Sequence, residues 1–281
     1  MASKMLTLVP LCLLLCWMLP VGSKTIRIVA SQDAIKTKKP IPLNLAEDSV
    51  DDMYLGCNAM AQFVNNKYFK KEDNGTFAVV WKQANKCAIE KFRNKDKKDE
   101  ALTKNHTQAI CAFTSNVQEF YQTFNAAVRT SRKQYGTSFQ FHFLHFWLTS
   151  AVQILGQNTD CKTTYRRTKG EFSGKVDQII RFGSFSSSSA KPDQKIFGNK
   201  TCFKIKTCLG APLKNYSKLP NEEEVLIPPY ERFKIIKKIK KKIPENLSDC
   251  KSVYILESAG VLSNLNCKET RKTRWSSVSI I

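Results

Sequence analysis

The cysteines constrain this 281-residue chain more than any other feature. Two of the ten, Cys12 and Cys16, fall in the nearly continuous apolar stretch from Met5 to Leu19, which follows Lys4 and leaves through Pro20-Val21-Gly22-Ser23. That stretch is too short to span a bilayer comfortably and reads as an export signal cleaved near Ser23 rather than a retained anchor. Eight cysteines then remain: Cys57, Cys87, Cys111, Cys161, Cys202, Cys208, Cys250 and Cys267. An even number in an exported chain favours disulfides over thiols. With three histidines and no Cys-x-x-Cys pair, no metal site is expected. Five Asn-x-Ser/Thr sequons, at Asn74, Asn105, Asn199, Asn215 and Asn246, fit an exported glycoprotein. The chain ends at Ile281 without the hydrophobic tail of about 10–20 residues that a lipid-anchor signal needs. The expected product is secreted and extracellular, with no membrane span in the mature chain.

About 42% of the residues are hydrophobic, enough for a real core and against a disordered chain. The formal net charge of +21 would suit nucleic acid, but export makes that partner unexpected. Anionic glycans, acidic cell surfaces or acidic substrate proteins fit better.

The hydrophobic pattern divides the chain. Residues 24–44 read as an irregular lead-in. Ser49 with Asp52 predicts a capped helix carrying Met53, Cys57, Met60 and Val64. Asn74-Gly75 reads as a turn before a helix from Phe77 to Phe92, and residues 93–106 as a charged loop. Val117, Phe120, Tyr121, Phe124 and Val128 form one helical stripe; Leu144, Trp147, Leu148, Ala151 and Leu155 form another, ended by Gly156 and Asn158. Beyond that point Gly, Ser and Pro become frequent. Phe203 to Lys206 alternates as a half-buried strand does, Glu224 to Ile227 reads as a strand stopped by two prolines, and Val253 to Leu256 is a third. A helical first half and a stranded second half predict an α+β fold.

Three segments carry chemistry: Tyr165-Arg166-Arg167-Thr168, the run from Arg181 to Ser189, and Glu222 to Tyr230. An arginine can fork onto a diphosphate, and serine hydroxyls can hold a ribose or a carboxylate. Glu222 and Glu224, at alternate positions of a strand, would share one face about 7 Å apart, with Glu223 pointing away. Each segment alone reads more simply as solvated surface. The acids, however, lead straight into Val-Leu-Ile, a core strand, which favours a cleft over a linker.

Together these segments resemble the arginine, serine and Glu-x-Glu signature of the vertebrate arginine-specific ecto-ADP-ribosyltransferases. The likeness continues in order through DDMYLGC at Asp51 to Cys57, FNAAVR at Phe124 to Arg129, FHFLHFWLTSAVQIL at Phe141 to Leu155, FGNKTCFKIKTCLGAP at Phe197 to Pro212 and EEEVLIPPYERFKI at Glu222 to Ile235. It covers residues 45–270, the expected transferase domain, with a helical part over about 45–158, a β-rich part over about 159–270 and a tail at 271–281. The resemblance implies a helical lobe packed on a β-rich core, with the dinucleotide in the cleft between them. It implies NAD or NADP as substrate, no bound cofactor, and acceptor proteins with exposed arginines.

Carried over residue by residue, the resemblance makes Arg166, Ser187, Glu222 and Glu224 the catalytic set. Arg166 would hold the phosphates, Ser187 would support the second acid, Glu224 would bind the nicotinamide-ribose hydroxyl, and Glu222 would orient and deprotonate the acceptor guanidinium. Phe113, Ser184, Phe197 and Ser217 would lie near the dinucleotide, with Phe197 over the nicotinamide. The chain departs from the family at Arg167, where glycine is usual, at Ser184, where glutamine is common, and at Phe113, which replaces a common tyrosine. The resemblance also implies the disulfides Cys57–Cys267 and Cys161–Cys208; the remaining four cysteines are expected to pair as Cys87–Cys111 and Cys202–Cys250.

Two other readings compete: an NAD glycohydrolase whose acceptor is water, and a non-catalytic recognition glycoprotein on the same scaffold. A separate feature, the six lysines of Lys234 to Lys242 interleaved with isoleucines, reads as a charged edge strand or loop, or as a tether to anionic glycan.

Overall fold

The computed structural model describes residues 39–57, 59–115, 117, 119–157 and 160–269. The expected export signal, most of the expected lead-in, the expected C-terminal tail and Asn158 lie outside the described residues. The first half is helical as expected: α1 (Met60–Val64), a π-helical turn at Asn65–Phe69, α2 (Lys70–Glu72), α3 (Gly75–Arg93), α4 (Lys104–Phe113), α5 (Phe120–Thr130) and α6 (His142–Gly156). Strands are β1 (Ile41–Pro42), β2 (Lys162–Thr168), β3 (Phe172–Ser173), β4 (Ile179–Arg181), β5 (Ser186–Ser189), β6 (Thr201–Thr207), β7 (Ala211–Pro212), β8 (Glu224–Ile227), β9 (Glu231–Ile239) and β10 (Val253–Val261). An eight-stranded sheet runs in the order β4-β9-β10-β6-β2-β5-β8-β7, and β1 pairs with β3 beside it. Only the β6–β10 pairing is parallel within the large sheet.

Helix α6 is apolar almost all round and is correspondingly buried from His142 to Thr149. Around it the aromatic rings of Phe120, Phe124, Phe141, Phe143 and Trp147 form the main core, which reaches the sheet through Phe185 and Leu226. A second core of Phe203, Ile205, Phe233, Ile235 and Leu256 backs the other end of the sheet.

The helix expected from Ser49 does not form there. Residues 49–57 are irregular, with Tyr54 at φ 55°. Their polar groups serve distant partners instead of a helix end. Ser49 Oγ donates to the Gly183 carbonyl, Asp51 pairs with Arg181, and Asp52 accepts from the Tyr135 hydroxyl. Tertiary hydrogen bonds outweigh a local cap, which contributes only about 1 kcal/mol. Helix α4 lies partly inside the expected charged loop, starting at Lys104, and β5 is the four-serine run itself.

All four disulfides are Cys57–Cys267, Cys87–Cys111, Cys161–Cys208 and Cys202–Cys250. Cys161–Cys208 ties the segment entering β2 to the end of β6, so the strand carrying Arg166 is braced at one end.

Candidate active site

Strands β2, β5 and β8 are neighbours, and they carry the three segments singled out in the sequence. Tyr165 pairs with Ser189, and Ser189 pairs with Glu224. Directly paired residues share a face, so Glu224 and Ser187 lie diagonally on the same side. Ser188, on the other side, spends its hydroxyl on the Val225 carbonyl at 2.7 Å.

The expected carboxylate spacing needs correction. Glu222 closes a 3₁₀ turn (Pro220–Glu222), Glu223 adopts a left-handed conformation at φ 46°, and β8 begins only at Glu224. The two acids are therefore not alternate strand residues. They nevertheless line one small pocket with Tyr165, Arg167, Ser187 and Phe197. Glu223 points outward to an ion pair with Lys191 at 2.9 Å. The turn reaches the geometry that simple strand alternation was expected to supply.

Glu224 is buried, and burial pushes its carboxyl up to about 7. Ser187 opposes that shift, Glu222 adds to it by like charge, and Ser217 opposes it with a long contact of 3.4 Å. Burial alone pushes half-buried Glu222 up to about 7. Two atoms here, Ser187 Oγ and Glu224 Oε1, are sealed from solvent without a hydrogen bond of normal geometry. Ser187 nonetheless sits close enough to favour the Glu224 carboxylate. Buried polar atoms left short of partners are uncommon, and two of them on the wall of one pocket leave hydrogen-bonding capacity open to a bound molecule.

Arg166 lies on the opposite face of β2 and lines the adjoining cleft, of about 140 Å³, with Tyr121, Arg129, Phe182 and Ser184. Its guanidinium lies 5.7 Å from the Phe182 ring centre, and Nη1 donates to the Ser187 carbonyl at 2.6 Å. Burial lowers its pKa and a hydrogen bond to Tyr121 opposes this; an arginine remains cationic at neutral pH. The cleft and the acid pocket are thus separate cavities that meet across β5. The acid pocket has room for little more than one water, about 10 Å³, with Phe197 as part of its wall.

The remaining expected residues divide. Ser217 is buried against Glu224. Phe113 ends α4 fully buried, its ring 4.9 Å from Tyr121 and packed on Phe185; it lines neither the cleft nor the acid pocket. The cleft needs a surface ring, and the helical stripe puts this one in the core. Arg167 does not crowd the cleft either. It lies across from Cys202 on the acid-pocket face, where Asp249 grips it at 2.8 and 3.0 Å and Nε donates to the Pro192 carbonyl at 2.6 Å. Sequence reasoning missed Tyr121, which was counted only as part of a helical stripe; its hydroxyl was the available signal.

The three histidines lie on α4 and α6, away from both cavities. Burial pushes His106 down to about 4 and His145 down to about 3. Proton handling at the site therefore falls to its two carboxylates.

An arginine lining a cleft on one side of β5, and two acids raised toward neutral pH by burial on the other, suit group transfer on a phosphate-bearing substrate. Comparison with known proteins specifies the class. Residues 43–250 match the family model NAD:arginine ADP-ribosyltransferase. The erythroblast NAD(P)(+)--arginine ADP-ribosyltransferase of Gallus gallus is 33% identical over 248 residues, covering 84% of this chain and 78% of that protein. Ecto-ADP-ribosyltransferase 4 of Homo sapiens is 35% identical, covering 85% and 75%. A crystal structure of the eukaryotic mono-ADP-ribosyltransferase ART2.2, a variant in complex with NADH, superposes with a TM-score of 0.69 at 30% identity, covering 81% of this chain and 99% of that one. The chain belongs to the NAD:arginine ADP-ribosyltransferase family and has that family's α+β fold.

Extracellular placement agrees with the four disulfides and with relatives named as ecto-enzymes, some of them GPI-linked. Among the described residues no helix is long and apolar enough to cross a membrane.

Proposed function

We propose that this chain cleaves NAD or NADP and transfers the ADP-ribose to arginine side chains of extracellular proteins, and that it acts as a secreted enzyme. The observation that carries the reading is the acid pocket: Ser187 Oγ and Glu224 Oε1 buried without normal partners, beside a second acid, one strand from a cleft holding Arg166. Arg166 holds the diphosphate, with Ser184 in the same cleft. Glu224 takes the nicotinamide-ribose hydroxyl, completing the hydrogen bond it lacks, while Ser187 and Ser217 orient it. Phe197 covers the nicotinamide. Phe113 acts at one remove, by packing behind Tyr121.

The bond between ribose C1′ and the nicotinamide nitrogen breaks, and its electron pair leaves with nicotinamide, which becomes neutral. The ribose gains oxocarbenium character, which a carboxylate at the hydroxyl stabilises more in the transition state than in the ground state. A guanidinium nitrogen of the acceptor then bonds to C1′, and its proton passes to Glu222. That step needs Glu222 ionised, because a cationic guanidinium is a poor nucleophile.

Labelled NAD with agmatine as acceptor tests this. Transfer is expected from the wild type, loss of both transfer and nicotinamide release from Glu224→Gln, and selective loss of transfer from Glu222→Gln. Nicotinamide release without labelled agmatine would instead establish the glycohydrolase. No turnover from clean protein, with Glu224→Gln behaving identically, would establish the recognition protein.

A further inference from the structure

The sheet extends the acid pocket into a lysine-paved surface. Glu224 pairs with Ser189, Ser189 with Tyr165, Tyr165 with Lys204, Lys204 with Ile255, and Ile255 with Lys237. These six residues form one cross-strand row on one face of the sheet, running from the buried acid to exposed lysines on β6 and β9. The next row, Thr163–Lys206–Glu257–Lys234, adds two lysines and one acid, and Lys234 is already paired with Asp177 at 2.8 Å. The alternate residues Phe203, Ile205 and Leu256 enter the core, so Lys204 and Lys206 face outward, while the flanking row through Cys202 and Val253 on the same side is covered by Leu247 and Cys250. Tyr165 belongs both to the wall of the acid pocket and to this row, which makes the two surfaces continuous.

We propose that this face is the docking surface for the acceptor, and that it selects arginines flanked by acidic residues. The inference rests on the transferase reading above. A bare guanidinium approaching a chain of formal charge +21 meets net repulsion, which the acid pocket offsets locally. Carboxylates on the same acceptor reverse that balance by meeting the lysines. With strands about 4.8 Å apart, Lys204 stands about 14 Å from Glu224 and Lys237 about 24 Å. An extended acceptor rising about 3.3 Å per residue spans those distances in about four and seven residues. Because side chains alternate along an extended chain, the selected sequence carries acids at even spacings, about four and about eight positions from its arginine. A sulfated glycan would also meet the lysines, but alignment of the row with Glu224 serves an acceptor and is indifferent to a glycan.

The test compares agmatine with two peptides, one carrying acids four and eight residues from a single arginine and one carrying glutamines there. The wild type is expected to modify the acidic peptide with a roughly fivefold higher kcat/KM, a margin that shrinks with added salt as exposed charge pairs are screened. Lys204→Glu with Lys237→Glu is expected to erase the margin while leaving agmatine transfer unchanged. Lys82→Glu with Lys86→Glu, an equal charge change on exposed α3, is expected to keep it. Equal rates on both peptides, or equal loss from the α3 variant, would overturn the proposal. So would loss of heparin retention by the β6/β9 variant with the peptide preference intact, which would assign the face to glycan. Failure of the wild type on agmatine would strike the transferase reading itself.

Discussion

Asp51 and Glu224 are both buried acids on segments that meet the sheet, but their surroundings differ. Asp51 is enclosed by donors: Arg181 Nη1 at 2.7 Å, the Asn264 amide and side chain, and the Leu265 amide. Glu224 has one long contact from Ser217, a neighbouring acid, and one oxygen without a normal partner. The first arrangement holds the N-terminal segment to the end of the chain. The second keeps an acid at the edge of ionisation, which stability alone gives no reason to do. Trp147 Nε1, Thr149 Oγ1 and Arg232 Nε are also buried without a partner, so an unsatisfied atom alone does not mark the site; Glu224 is set apart because its unpartnered oxygen lies in a pocket beside a second acid.

Substitution can break this contrast at several strengths. Arg181→Met strands the Asp51 charge and should cost about 3–5 kcal/mol in chemical denaturation; a cost below about 1 kcal/mol would show that the anchor is dispensable. Glu224→Gln should lower NAD cleavage by about 10²–10³-fold and yet stabilise the fold at alkaline pH. The Glu224 pKa is raised on folding from its ordinary 4.5 to about 7. The proton it holds therefore favours the folded state fully below about pH 4.5, and that contribution is lost as pH rises through about 7. A glutamine never ionises, so at pH 8 the variant should be the more stable by on the order of 3 kcal/mol, with a higher Tm, and near pH 4 the two should match. Equal Tm differences at both pH values would show that Glu224 carries no such strain.

The same ionisation should appear in the wild-type rate. Because both Glu222 and Glu224 act as carboxylates, kcat/KM for transfer should climb steeply through about pH 7. A flat profile from pH 5 to 8 would contradict it. The smallest effect belongs to Glu223→Gln, which breaks an exposed ion pair with Lys191 and should cost less than about 1 kcal/mol in chemical denaturation.

Much of this was legible in the sequence. The stripes from Phe120 and Leu144 gave helices α5 and α6 because amphipathic and buried helices both leave a 3.6-residue imprint. Glu224 to Ile227 was readable as a strand with its bounds intact, since prolines stop it. The serine run was not readable as a strand: serine has little strand preference, and β5 forms because β2 and β8 flank it. Residues 49–57 misled for a similar reason, since a local capping pattern says nothing of Arg181 or Tyr135 far along the chain. Within the site, the residue types at 166, 187, 222 and 224 were visible, but the left-handed Glu223 that brings the two acids to one pocket was not.

The Cys57–Cys267 link joins positions 210 residues apart. Any pull applied to the chain on the outer sides of positions 57 and 267 passes through that sulfur bridge. The catalytic lobes between lie off the line of tension. Only a reducing agent puts them in its path, so mechanical loading should unfold the protein after thiol treatment and spare it before.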